Sequence, residues 1–167
     1  MFKLLLLVSL LLLAHPLQAY QSQEKLKVLL VGKLAKYISW PHYDTYFTIT
    51  VLNDNSPLFE EIYKNKKIKN KEVKIQHIDS IDELNTTNIL YISNANKNNL
   101  EEILEKIKNK NILLISDMRG FAEKGGVVQI YFASQKLRLR VNLQSAKANN
   151  LKIKSSLLRI VSIVKEE

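Results

Sequence analysis

Two short runs constrain this chain most: ILYIS at 89 to 93 and NILLISD at 111 to 117. Each is almost unbroken in large apolar residues, too short for a helix and bounded by polar segments. A strand with one wet face alternates in polarity, so an unbroken run fits a strand covered on both sides. The flanking segments supply the cover. In EKLKVLLVGKLAKYIS, at 24 to 39, Leu26, Leu29, Leu30, Leu34, Tyr37 and Ile38 recur at three- and four-residue intervals, and LEEILEKIK at 100 to 108 is amphipathic in the same way. The expected fold class is α/β: three layers, with a mostly parallel, Rossmann-like sheet, a C-terminal antiparallel hairpin, and helices on both faces.

The remaining segments keep that rhythm. Trp40-Pro41 is expected to end the first helix, because the residue before a proline is pushed out of helical backbone. FTITVLN at 47 to 53 alternates as a strand, then Asn55 or Ser56 caps and Pro57 opens the short helix LFEEIYKN. EVKIQHI at 72 to 78 reads as a strand and DSIDEL as a short helical turn. VVQIYFA and KLRLRVN are separated only by Ser134 and Gln135, which predicts an antiparallel hairpin at the sheet edge. The tail, LQSAKANNLKIKSSLLRIVSIV, reads as two helical pieces, with Ser155 or Ser156 capping the second.

Before all this stands MFKLLLLVSLLLLAHPLQAYQ, with Lys3, an apolar run from Leu4 to Ala14, and Leu17-Gln18-Ala19 as a cleavage site. This is the layout of a secretory signal peptide at 1–19, leaving 20–167 as a single domain. An uncleaved anchor is the alternative, although the run falls short of the roughly 20 residues that span a bilayer. The mature chain is therefore expected to be exported. With no cysteine in the chain, neither disulfides nor thiolate chemistry is available. The net charge is +9, but the lysines are scattered among asparagines and isoleucines and there are only four arginines, so no nucleic-acid face is expected.

Three of the four glycines, Gly120, Gly125 and Gly126, fall inside SDMRGFAEKGGVVQI at 116 to 130. The spacing GxxxxG begins like a phosphate loop, but Gly126 and Val127 stand where lysine and serine or threonine are needed, and a strand follows instead of a helix. The glycines are read as a structural turn that leads a buried strand into the hairpin. No GxSxG elbow is present, and no catalytic residue, metal or cofactor is expected. His42 and His77 lie apart in sequence, and Asp79 and Asp82 near His77 read as solvated or capping carboxylates.

Two features stay open. Asp117 and Arg119 lie at the carboxyl end of a buried parallel strand, where α/β proteins bind ligands, so they outline a ligand crevice; otherwise Asp117 caps the following turn. Trp40 either packs over the sheet end or joins Tyr43, Tyr46 and Phe121 in an exposed aromatic patch for a partner.

Taken in order, LAKYISWP, FTITVLN, NILYIS, SDMRGFAEKGGVVQIYF and KLRLRVNLQSAKANNLKIKSSLLRIVSIV resemble the YfiR-like periplasmic regulators. The most specific pieces are Trp40-Pro41, Ser116-Asp117 with Gly120-Phe121 and Gly125-Gly126, Asn142, and Leu151 with Ser155 to Leu158. The resemblance implies a non-catalytic protein that binds and represses a membrane signalling protein such as a diguanylate cyclase of cyclic-di-GMP signalling, and that an outer-membrane lipoprotein sequesters. Other relatives accompany sensor kinases or outer-membrane receptors, which leaves a small-molecule sensor as the alternative. Some relatives form disulfides, which this chain cannot. The expected partner contacts are Trp40, Tyr43, Arg119 and Phe121, and monomer against homodimer is left open.

Overall fold

The computed structural model describes residues 22–41 and 44–165 of the chain. Five strands run parallel: β2 (Phe47–Leu52), β4 (Lys71–Ile78), β5 (Ile89–Ile92), β6 (Leu113–Ser116) and β7 (Val128–Ala133). The antiparallel strand β8 (Lys136–Val141) pairs with β7, and the short β3 (Lys67–Ile68) pairs with β4. A two-residue strand, β10 (Ser162–Ile163), lies outside β8. The eight-stranded order is β10-β8-β7-β6-β5-β2-β4-β3. Every residue of β5 and β6 is buried, as their unbroken apolar runs require, and so is every residue of β2, although FTITVL alternates, with the Thr50 hydroxyl satisfied by Thr87 at 2.9 Å. The three-layer α/β expectation holds.

The register sorts the side chains. Val51, Tyr91 and Ile115 stand in one row across β2, β5 and β6, and Leu52, Ile92 and Ser116 stand in the next row, on the opposite face. Tyr91 meets Phe59 of α2 (Leu58–Tyr63), with ring centroids 5.3 Å apart. Helix α2 is in turn fastened to α1, the helical residues 22–34. The Tyr63 hydroxyl donates to the Val28 carbonyl at 2.6 Å and accepts the Gly32 N–H at 2.7 Å. These two backbone groups are four apart and would ordinarily bond to each other, so the phenol is a wedge in the α1 ladder. Only glycine permits it, because a Cβ at position 32 would lie 2.5 Å from the Tyr63 ring.

The first helix ends earlier than its apolar spacing predicts. After residue 34 come a 3-10 turn at Ala35–Tyr37 and then a strand, β1 (Ile38–Ser39). Ile38 pairs with Ile153 and Ser39 with Lys152 in β9 (Lys152–Ile153), and the Lys154 N–H donates to the Tyr37 carbonyl. Long-range pairing overrides local periodicity there. The tail departs likewise: α4 (Leu143–Ala148) and α5 (Ser155–Leu158) are the two helical pieces, but β9 precedes α5 and β10 follows it. Ser155 is the first residue of α5, and its N-cap, Lys154, offers no side-chain hydrogen bond. The hairpin is also less of an edge than expected, since β10 covers Arg140 and Val141 of β8.

Most positive-φ positions among the described residues of this glycine-poor chain are held by other residues. Asn53, Asn65, Asn70, Asn109, Asn111 and Asn150 all have positive φ, as do Lys69, Ser134 and Gln135. Asparagine visits this region more readily than most side chains because its amide bonds locally. Lys69-Asn70 and Ser134-Gln135 thus make the two-residue hairpin connections β3-β4 and β7-β8.

Candidate functional site

The glycine block is built around a phenylalanine. Phe121 is fully buried, and a Cβ on Gly126 would fall 2.1 Å from its ring. Gly125, at φ 107°, turns the chain where a Cβ would also approach Leu104 at 3.2 Å. The Gly126 N–H closes the loop on the Phe121 carbonyl at 2.9 Å. Asn142 holds the same loop from β8: its Nδ2 donates to the Ala122 carbonyl at 2.8 Å while its Oδ1 accepts the Ser145 N–H and caps α4. The block is therefore a packing device that ties the β6-β7 connection to α4.

That packing removes Phe121 from the expected contact patch. Trp40 leaves it too, being 5 % exposed, with its ring edge-on to Phe47 at 5.5 Å and the Lys69 ammonium 5.6 Å from its centroid. The reading of Trp40 as core over the sheet end is the one the structure shows. Arg119 is exposed, Tyr46 is 48 % exposed, and Tyr43 and His42 lie outside the described residues.

Asp117 and Arg119 form no ion pair among the described residues. Asp117 instead meets Lys27 of α1 at 2.6 Å, and Lys27 also meets Glu24 at 2.6 Å. Burial alone would lower the pKa of Lys27, but the hydrogen bonds that its ammonium donates to both carboxylates, and their charges, hold it above the ordinary lysine value. Nor is Asp117 the cap of the next turn, because the Ser116 hydroxyl accepts the Met118 N–H at 3.0 Å. His77 bridges the Asp54 carbonyl at 2.6 Å and the Glu60 carboxylate at 2.5 Å, while Asp82 pairs with Lys106 at 2.6 Å. No group of three or more metal-binding side chains gathers among the described residues.

A cleft opens at a different strand end. Strand β2 is followed in sequence by β3 and β4 on one side and then by β5 on the other, so the order in which strands are added reverses between β2 and β5, which themselves run parallel. Such switch points leave a crevice at the carboxyl ends of the strands. Here the crevice is about 610 Å³, with Val28, Leu58, Phe59 and Tyr91 as apolar walls and Glu24, Lys25, Asp54 and Ser56 as polar groups. Its loop is internally braced: the Asp54 carboxylate accepts the Ser56 N–H at 2.9 Å, His77 holds the Asp54 carbonyl, and the Ser93 hydroxyl donates to the Asn53 carbonyl at 3.0 Å. The carboxyl-end rule pointed to Asp117 at β6, one strand beyond; strand order, which short runs do not encode, decides where the crevice falls.

Comparisons with known proteins support the fold. The chain is similar to a crystal structure of an ABC domain in complex with L-Trp from Streptococcus pneumonia, at TM-score 0.60 and 12% identity, covering 82% of this chain and 60% of that one. At that identity the likeness concerns the fold, and the chain spans about three-fifths of that protein's length. No curated protein matches. Among the described residues no helix is long and apolar enough to cross a membrane. A family model described as YfiR/HmsC-like matches residues 24–162, nearly the whole described chain, and on that match the protein belongs to the YfiR/HmsC-like family.

Proposed function

We propose that this protein is a non-catalytic regulator that binds and represses a membrane signalling protein, such as a diguanylate cyclase, through that partner's exported domain. The observation that carries this is membership, over residues 24–162, in a family of periplasmic regulators of the cyclic-di-GMP system. In this reading residues 1–19 are a leader removed on export and 20–167 act as one unit. An outer-membrane lipoprotein or receptor is a second partner that competes for the repressor. The physical requirement is differential affinity, because a binder shifts a switch only by as much as it prefers one state.

The contact surface suggested here is the free edge of the sheet. Leu143, Ile160 and Ile163 are exposed, and Leu143 and Ile163 share a shallow pocket of about 190 Å³ with Asn142 and Val164. Strand β10 is the outermost strand, and a short strand with apolar side chains beside it invites pairing by an extended segment. Arg159 and Lys165 are exposed near it in sequence and Arg138 is exposed on the neighbouring strand β8, which favours an acidic partner segment. Arg119 stays as an exposed candidate contact.

The test is crosslinking in intact cells with a tagged chain, followed by identification of what co-purifies. Recovery of a cyclase, kinase or receptor that disappears with I160E and I163E supports the reading. Recovery of the same partner at unchanged yield from the double variant rules out this edge, and recovery of this chain alone rules out the inherited partner.

A further inference from the structure

The switch-point cleft has the size and make-up of a small-molecule site. Pockets for such ligands are usually some 300–1,000 Å³, mainly apolar, with a few fixed polar groups; this one is about 610 Å³. Its walls include two ring-bearing side chains that are already packed, Phe59 at 1 % and Tyr91 at 4 % exposure. They are held in place beneath the cleft, and half-buried Leu58 is the most accessible of its apolar residues.

The polar groups decide the charge of the occupant. Glu24, Lys25 and Asp54 line the cleft. The neighbouring cation, Lys27, is engaged by Glu24 and Asp117, so it is not available to an anion. Glu24 and Asp117 are in turn engaged by that cation, which leaves Asp54 and Lys25, one charge of each sign, to meet an occupant. Asp54 receives one backbone N–H on Oδ1, and its loop is held from behind by His77. A carboxylate fixed in this way beside an apolar wall is a seat for a positive group, since a charge-assisted bond there is stronger than one in open water.

We propose that this cleft binds a small organic ammonium compound, with its apolar or aromatic body against Leu58, Phe59 and Tyr91 and its ammonium on Asp54. The ammonium belongs either to a simple amine or to an amino acid, whose carboxylate Lys25 would meet. The site stands independently of the sheet-edge surface, and it is reached whether or not that surface holds a partner.

Calorimetric titration of the purified exported protein tests it, with phenethylamine, phenylalanine, phenylacetate and benzyl alcohol as probes. Phenethylamine is expected to bind, with benzyl alcohol and phenylacetate at least about tenfold weaker, as loss of one charge-assisted bond implies. Asp54→Asn should lower phenethylamine affinity about tenfold. Phenylalanine binding as tightly as phenethylamine, and weakened by Lys25→Ala, assigns the amino-acid source; phenylalanine binding weakly assigns the simple amine. Should Asp54→Asn fail to fold, Leu58→Trp, which fills the cleft from its rim, must abolish binding instead. Phenylacetate binding as well as phenethylamine, affinity unmoved by either variant, or no probe binding at millimolar concentration overturns the proposal.

Discussion

The carboxyl end of β2 and β5 and the outer edge at β8 and β10 belong to one sheet but are finished in opposite ways. At the first, polar side chains are bonded to backbone: Ser93 to Asn53, His77 to Asp54, and the Tyr63 phenol between Val28 and Gly32. At the second, Ile160 is 72 % and Ile163 43 % exposed, and among the described residues no element lies beyond β10 in the sheet. A region whose polar groups are satisfied internally is preorganised and can hold a small ligand without first being ordered. A region that leaves apolar side chains and a strand edge uncovered gains most from a macromolecule that covers both.

The sharpest way to break that contrast is at the joint between the two regions. Gly126→Ala places a Cβ within 2.1 Å of Phe121 and should destabilise the fold by about 3 kcal/mol, as overpacking does at its upper range. Urea denaturation measures it, and a loss under about 1 kcal/mol would mean that the Phe121 ring has somewhere else to go. Gly32→Ala should act similarly through Tyr63, at the closed end.

A milder change probes the wedge itself. Tyr63→Phe removes the hydroxyl but lets the Gly32 N–H and Val28 carbonyl find each other, so the expected cost is about 1 kcal/mol. Burial pushes the Tyr63 phenol up to about 12, against a smaller downward pull from the Gly32 N–H. A group whose folded value is raised contributes stability below its unfolded value and loses it as pH climbs through the folded one. The same sign holds for Lys27, also raised. Stability should therefore be flat with respect to these two groups near neutrality and should fall in the alkaline range, less steeply in Tyr63→Phe. A denaturation midpoint followed against pH checks both slopes.

The smallest effect on stability is expected at the open edge. I160E and I163E should each stay within about 0.5 kcal/mol of the parent, because neither side chain is buried. Their effect belongs to partner capture, which the crosslinking yield reads. A large loss of stability instead would show that this edge is structural.

How much of this was legible beforehand follows from physical scale. ILYIS and NILLISD announced β5 and β6 because a doubly covered strand needs a continuous apolar run, and the Ser134-Gln135 hairpin was visible from its spacing. Strands β1, β9 and β10 are two residues each, too short to carry a period, and their pairing across the chain redirected the end of the first helix. The glycine block was legible as structural, but not that Gly126 makes room for Phe121; close approach between side chain and backbone leaves no mark in spacing. The cleft was missed because Glu24 and Asp54 are thirty residues apart and line one cleft only once α1 is fastened to α2 beyond the end of β2.

The asparagines that turn the chain at positive φ, Asn53 and Asn150 among them, also bear on what the unfolded protein loses. Glycine gives up more backbone freedom on folding than any other residue. A chain that makes its left-handed turns with asparagine accepts some local strain when folded, but begins from a narrower unfolded ensemble. For a protein without disulfides, that restricted starting ensemble acts in the same direction as a covalent tether, though on a smaller scale.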